Sequence, residues 1–226
     1  YHGIPMVGHR ARKFEPQAAM ELMASLNIRN VFLPPTALKL MRQANAKHPG
    51  VKLRSIFTGG ESLGGELLGW VRETFGVDAH EVFGQTECNL VIGSNANLFP
   101  IRPGAMGRAT PGFDVRIVND KGEELPRGTR GIVGVRQPCP CTMIEYWRNP
   151  EATAKKYAGE FLLTGDLGVQ DEDGYFWYVS REDDVITTAG YRVGPAEIEH
   201  TLMKHPAVAM SAVVGIPDPI RTESIK

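Results

Sequence analysis

The sequence predicts an α/β fold. Apolar residues recur at helical spacing between short apolar runs, Gly and Pro gather at the junctions, and two-residue alternation takes over after about Gly104. Residues 1 to about 95 therefore read as α/β layers, the next stretch as a small β unit, and the last residues as the start of a further α+β unit.

Residues 15–27 place Ala19, Leu22, Met23 and Leu26 on one helical face, with Pro16 at the entry. The run from Ile28 to Leu33 reads as a strand ended by Pro34-Pro35. Thr36 is placed to cap a second helix bearing Ala37, Leu40, Met41 and Ala44. A buried strand follows at Leu53 to Phe57, then a glycine-rich turn from Gly59 to Gly65. A helix over Glu66 to Phe75 presents Leu68, Val71 and Phe75. In the β unit, Val115 and Ile117 alternate with polar residues, Asp120-Lys121-Gly122 turns the chain, and Ile132 to Val135 forms a strand. The turn Asp171-Glu172-Asp173-Gly174 signals a hairpin leading into Tyr175 to Val179. Pro195 opens a helix through Ile198 and Leu202 to His205, which Pro206 stops. The run Val208 to Val214 reads as one more strand, and this final piece is too short to own a core.

The composition narrows the function. Lys and Arg number 25 against 26 Asp and Glu, a net charge of −1, so the overall balance recruits neither nucleic acid nor an anionic membrane. The 25 Gly and 16 Pro show no three-residue period, which excludes a collagen. No run reaches the ~18 apolar residues of a membrane span, so the chain reads as soluble. Cys88, Cys139 and Cys141 make an odd set without a second pair for zinc, and they read as reduced packing thiols in a reducing compartment. The start at Tyr1 and the stop at Lys226 suggest a piece cut at either end. A targeting segment is then unreadable, and the expected compartment is the cytoplasm, or the mitochondrial matrix in a eukaryote.

Four stretches carry candidate chemistry. Gly60-Glu61-Ser62-Leu63-Gly64 fits a nucleophile elbow with Ser62 as the attacking group, but no glycine-rich oxyanion loop precedes it. The other reading is a strand-to-helix turn whose backbone lies against something flat, with Ser62 as a cap. In Val82-Phe83-Gly84-Gln85-Thr86-Glu87, the aromatic suits a purine face and the hydroxyl a phosphate oxygen. The carboxylate suits Mg²⁺, which prefers oxygen ligands shared with phosphates. A strand end with a solvated Glu has the same sequence. Leu162-Leu163-Thr164-Gly165-Asp166 leads an apolar pair into a turn whose carboxylate suits two ribose hydroxyls, or an Asx turn. Arg181 and Arg192 flank Asp183-Asp184 and a glycine turn, either as a phosphate and ribose clamp or as a surface ion-pair network.

In this order, the four stretches resemble the adenylate-forming superfamily of acyl-CoA synthetases, luciferases and peptide-synthetase adenylation domains. The resemblance runs from Pro34-Pro35-Thr36 through Gly59 to Leu63, Phe83 to Glu87, Thr164 to Asp166, and Arg181 to Arg192. Asp171 to Trp177, Gly190 to Glu199 and His205-Pro206-Ala207-Val208 look most like short- to medium-chain acyl-CoA synthetases. The resemblance implies residues 1–182 as the C-terminal part of a multilayer large domain with a β-barrel-like subdomain. It implies residues 183–226 as the start of a small, mobile α+β domain.

The implied cofactors are ATP or AMP, Mg²⁺ and coenzyme A, with a small carboxylic acid as substrate. Gly60, Glu61 and Ser62 would cover one adenine face, and the segment Glu81, Val82, Phe83, Gly84, Gln85, Thr86 would bind the nucleotide, with Phe83 stacking and Thr86 touching the α-phosphate. Glu87 would hold Mg²⁺, Asp166 and Arg181 the ribose, and Arg192 the phosphate. Asp183 would be the hinge, and Ala189, Gly190, Tyr191 and Arg221 would meet coenzyme A. The implied reaction is carboxylate attack on the α-phosphate, giving acyl-adenylate and pyrophosphate, then displacement of AMP by the thiol. Phe83 stands where many relatives carry Tyr, and Thr187-Thr188-Ala189 where several carry lysine. Gly84 leaves room that favours an acyl chain longer than acetate. The family's phosphate loop would precede Tyr1 and its adenylation lysine would follow Lys226, so the isolated piece is expected not to turn over. Other expectations kept open are adenylation of an aromatic or amino acid, a serine hydrolase using Ser62, and a non-catalytic nucleotide-binding remnant.

Overall fold

Helices and strands alternate up to the third strand, and antiparallel hairpins take over after it. The computed structural model describes residues 3–61, 63–203, 205, 207, 208 and 211–226. The elements are α1 (Pro16–Ser25), β1 (Asn30–Phe32), α2 (Pro35–Gln43), β2 (Ser55–Gly59), α3 (Gly65–Phe75) and β3 (Ala79–Gln85). There follow β4 (Asn89–Gly93), β5 (Ala105–Ala109), β6 (Val115–Val118), β7 (Arg130–Arg136), α4 (Pro150–Lys155), β8 (Tyr157–Ala158), β9 (Phe161–Gln170) and β10 (Phe176–Arg181). The remainder is β11 (Ile186–Thr188), β12 (Tyr191–Val193), α5 (Pro195–Leu202), β13 (Gly215–Asp218) and β14 (Thr222–Ile225).

One sheet of ten strands runs β1-β2-β3-β4-β5-β10-β9-β7-β6, with β8 on β9. The first three strands are parallel, as their helical crossovers require, and the rest are antiparallel. Met20, Met23, Leu38, Met41, Leu67 and Val71 of the three helices are buried together with Ile56 and Ala79 of the sheet. The opposite face carries the row Phe32, Phe57 and His80, in which the Phe57 and His80 rings stack at 5.3 Å. A second core joins Val91, Ile92, Val115, Ile117, Val133, Val135, Leu162 and Phe176. Beyond the hairpin, a four-stranded sheet runs β12-β11-β14-β13.

The α/β class and the order of elements agree with the sequence reading. Several local expectations do not. Thr36 lies inside α2 and Pro34 occupies the cap position, because the hydroxyl is drawn across to Glu61 Oε1 at 2.5 Å. Thr164-Gly165-Asp166 is no turn but the middle of the ten-residue β9, where Gly165 at φ +77° absorbs a register shift against β7. The β unit forms no closed ring of ladders among the described residues: β5 pairs with both β4 and β10, which fuses it to the α/β layers, and β6 has only β7 beside it. The last helix ends at Leu202, and the stop at Pro206 lies outside the described residues. No strand occupies 211–214. The ladder instead forms between β13 and β14, extended by mutual backbone bonds of Val214 and Lys226. Of the cysteines, Cys88 is buried in the second core, Cys139 is half-buried, and Cys141 is exposed rather than packed.

Gly84 also has a different role from the one expected. A Cβ there would fall inside the van der Waals envelope of the Asn89 carbonyl oxygen, across the β3–β4 hairpin. The glycine serves close approach of two backbones at a register shift, so it leaves no open acyl space. Gly84→Ala is expected to cost roughly 2 kcal/mol or more of stability. Gly69→Ala, on an exposed position of α3 with nothing within 4 Å of the new methyl, should add about 0.5–1 kcal/mol. Urea unfolding of both variants checks the contrast.

Candidate functional site

Asp166 sits on β9 directly opposite Arg181 of β10, so the ladder itself makes them neighbours. Asp166 is buried. Burial raises its carboxyl above the usual carboxylate range, against the pull of Arg181, Gln85 and Lys156. Arg181 Nη1 lies 3.4 Å from Asp166 Oδ1, and Gln85 Nε2 donates to Asp166 Oδ2 at 2.6 Å and to Thr164 O at 2.8 Å. The end of β3 is thereby stitched to β9 across 81 residues of sequence. Gly165 suits this point through its positive φ of +77°, a conformation that L side chains rarely adopt, and the Arg181 guanidinium packs over it at ordinary contact distance, with Nη2 3.7 Å from where a Cβ would stand. Thr164 Oγ1 donates to Val133 O at 2.8 Å and accepts from the Asp166 amide at 3.1 Å, which anchors the bulge. Arg181 Nε also donates to Asp183 Oδ1 at 3.2 Å, linking the ribose and hinge candidates through one guanidinium.

Thr86, Glu87 and Cys88 form the β3–β4 turn, with Thr86 exposed and Glu87 half-buried. Tyr146 donates its hydroxyl to Glu87 Oε1 at 2.6 Å, and this bond is the largest influence holding the Glu87 carboxyl below its ordinary value; Lys156 and Arg181 add to it. An ionised, partly accessible carboxylate fits a hard cation. Among the described residues no three His, Cys, Asp or Glu gather around a common point. Such a cation would therefore take its remaining ligands from phosphates and water, as Mg²⁺ does.

The glycine turn is tied down from outside. Glu61 accepts from Thr36 and sits 3.5 Å from Lys39 Nζ, both on α2, while Gly60 adopts φ +92°. Ser62 lies outside the described residues. Glu81 is buried, and its backbone is tied to Ser94, whose hydroxyl accepts from the Glu81 amide at 2.7 Å. Phe83 is half-buried against the second core, and Val82 O packs against Gly59. A cleft of about 720 Å³ is lined by Glu61, Tyr178, Arg181 and Asp183 on one side and by Pro195 and Gly215 on the other. Asp166 and Glu87 lie outside that lining, so the hydrogen-bonded cluster, not the cavity, defines the site.

Ala189 and Gly190 turn the β11–β12 hairpin at φ +49° and +84°, and the Ala189 amide donates to Arg221 O at 2.9 Å. Ala189, Gly190, exposed Tyr191 and Arg221 are thus brought together. Arg192 lies beside them on β12, exposed, and is not among the leading charges acting on Glu87 or Asp166. Tyr146 and Lys156 are functional neighbours that the sequence reading did not name. Lys156 Nζ donates to Thr164 O at 3.2 Å and Leu163 O at 3.4 Å. The only sequence signal for their region is Asn149-Pro150, a cap and first-turn pair that starts α4.

A family model for the AMP-binding enzyme matches residues 1–147, and one for the AMP-binding enzyme C-terminal domain matches 197–226. The chain belongs to the AMP-binding enzyme family. This AMP-binding enzyme chain is 40% identical over 222 residues to the mitochondrial acyl-coenzyme A synthetase ACSM4 of Homo sapiens, covering 96% of this chain and 38% of that relative. It therefore spans under two fifths of the length of such relatives. ATP-bound MatB from Rhodopseudomonas palustris matches with TM-score 0.83 at 31% identity, over 94% of this chain and 42% of that one. The anthranilate CoA ligase AuaEII in complex with anthranoyl-AMP matches with TM-score 0.81 at 31% identity, over 93% and 41%.

Burial lifts the Glu81 carboxyl from 4.5 to about 8, so the folded AMP-binding enzyme chain holds a proton that the unfolded chain releases. The stability contribution is complete below about pH 4.5 and is lost as pH rises toward 8. Glu81→Gln should remove that slope and, above pH 8, raise the unfolding free energy by on the order of 3–5 kcal/mol. Urea titrations at pH 5, 7 and 8.5 measure it.

Proposed function

We propose that this chain supplies the nucleotide-binding centre and the start of the mobile domain of an ATP-dependent acid–thiol ligase. The ligase activates a short- to medium-chain carboxylate as its acyl-adenylate and transfers it to coenzyme A. The observation that carries the reading is the buried Asp166 shared by Gln85 and Arg181, on the residues where the family pattern expects the ribose hydroxyls. Two carboxylate oxygens fixed in a dry site suit a vicinal diol, because both hydroxyls donate to one acid. The names of the mitochondrial acyl-coenzyme A synthetases support coenzyme A as the acceptor, and a matrix location in a host with mitochondria.

In this reading Glu87 holds Mg²⁺, which neutralises phosphate charge when bound. Thr86 and Arg192 stabilise the oxygens around the α-phosphorus as negative charge gathers there. Arg192 now lies with Ala189, Gly190, Tyr191 and Arg221. We assign residues 1–182 to the large domain and 183–226 to a domain that swings about Asp183, carrying that group toward the nucleotide. The Arg181–Asp183 contact is exposed on the Asp183 side and adds little stability, which suits a joint that must open.

Two measurements test this. Calorimetry with AMP on the chain itself should show Asp166→Asn, checked as folded by circular dichroism, binding at least tenfold more weakly, and Ser62→Ala binding as the parent does. Fluorophosphonate labelling of Ser62 with no AMP binding would instead favour a hydrolase. The complete product of the gene should release pyrophosphate from ATP with straight-chain acids, peaking at intermediate length, and form thioester only when coenzyme A is added. Aromatic or amino acids as the sole substrates would move the assignment within the family, and no release with any acid would leave a nucleotide-binding relative without this activity.

A further inference from the structure

The segment from Met143 to Thr153 holds Glu87 at two points. The Met143 amide donates to Glu87 O at 2.7 Å, and the Tyr146 hydroxyl donates to Glu87 Oε1 at 2.6 Å. The tyrosine is itself located. Its amide donates to Thr153 Oγ1 at 2.9 Å, Thr153 Oγ1 donates to Asn149 O at 2.9 Å, the Asn149 amide donates to Tyr146 O at 3.1 Å, and Asn149 Oδ1 caps α4 through the Ala152 amide. Tyr157 donates to Met143 O at 3.1 Å, which closes the segment on β8. Met143 and Tyr157 also pack against the second core, and from that footing the chain of bonds converges on one carboxylate oxygen.

We propose that Tyr146 is a positioning residue for the metal-holding carboxylate: it occupies Glu87 Oε1 and thereby fixes the carboxylate with which Glu87 would hold the cation that accompanies ATP. The proposal rests on the reading of Glu87 given above. A carboxylate on a turn has free χ rotation, and a single metal-bound carboxylate loses affinity through that freedom. A donor fixed to one oxygen removes it, as outer-shell partners of metal ligands do. Tyrosine suits the role because its hydroxyl sits at the end of a rigid ring whose base is pinned by α4, so one hydrogen bond sets the carboxylate plane. No step of the reaction passes through the phenol.

The test uses Mn²⁺ with ATP as probe, with bound Mn²⁺ read by electron paramagnetic resonance on the 226-residue chain. AMP affinity without metal and the melting temperature serve as the readouts of structure. Tyr146→Phe should weaken Mn²⁺ binding in the ternary complex roughly tenfold while metal-free AMP binding and melting stay as in the parent chain. Thr153→Val, which frees the Tyr146 backbone but keeps the phenol, should show a smaller loss of the same kind, and Thr153→Ser should restore parent behaviour. If Tyr146→Phe fails to fold, the Thr153 pair decides the question. Unchanged Mn²⁺ affinity in Tyr146→Phe, or equal losses in metal binding, AMP binding and melting, overturns the positioning role while leaving the Glu87 reading intact. Parent chain that binds ATP with no Mn²⁺ dependence, or Glu87→Gln that binds Mn²⁺ as the parent does, overturns the Glu87 reading and the inference with it.

Discussion

Burying the Asp166 carboxylate is the constraint around which the rest of the site is arranged. A carboxylate out of water costs several kcal/mol unless its oxygens find partners, and no single element of this chain can supply them all. Arg181 arrives because β10 pairs with β9 and Gln85 because β3 ends against β9, while Lys156, held on the Leu163 and Thr164 carbonyls at the end of α4, adds only its charge. Gly165 is the point where these meet, since its positive φ accommodates the register shift of β9 against β7. The α/β layers and the antiparallel half of the sheet are consequently joined at the site as well as through β5.

The same arrangement divides the labour of the charged residues. Asp166 and Arg181 are fixed within the sheet, whereas Glu87 and Thr86 ride on a turn that needs outside support. That support comes from Met143 and Tyr146. Glu61, in turn, is held by Thr36 and Lys39 of α2. Each flexible piece of the site is thus tied to a neighbouring element by a polar bond. The contact between Arg181 and Asp183, the hinge we propose, remains the most solvent-exposed of these ties.

Much of this was legible beforehand, and the reasons differ by residue. Helices α1 to α3 were readable because their apolar stripes repeat at 3.6 residues, and the hairpin into β10 because Asp171 to Gly174 is turn chemistry. Thr164 to Asp166 looked like a turn because Thr, Gly and Asp favour one locally. The strand on either side overrode that preference and turned the glycine into a bulge. Gly84 was misread for a similar reason: a small residue in a motif suggests space, but the facing hairpin strand fills it. Thr36 likewise looked like a cap until its hydroxyl found Glu61, a partner 25 residues away.

By itself the sequence determined the class of fold, the order of its elements and the residue types that could meet a nucleotide, because periodicity and turn chemistry are local properties of the chain. It also carried the family membership, because the motifs stand in a fixed order. Only the tertiary structure decided which of those residues meet. Asp166, Gln85 and Arg181 converge, Arg192 stays with the coenzyme A candidates, and Tyr146 enters the site from 59 residues away. Contacts of that range depend on strand order and register, and a one-residue shift of β9 against β10 would have turned Asp166 to the other face of the sheet.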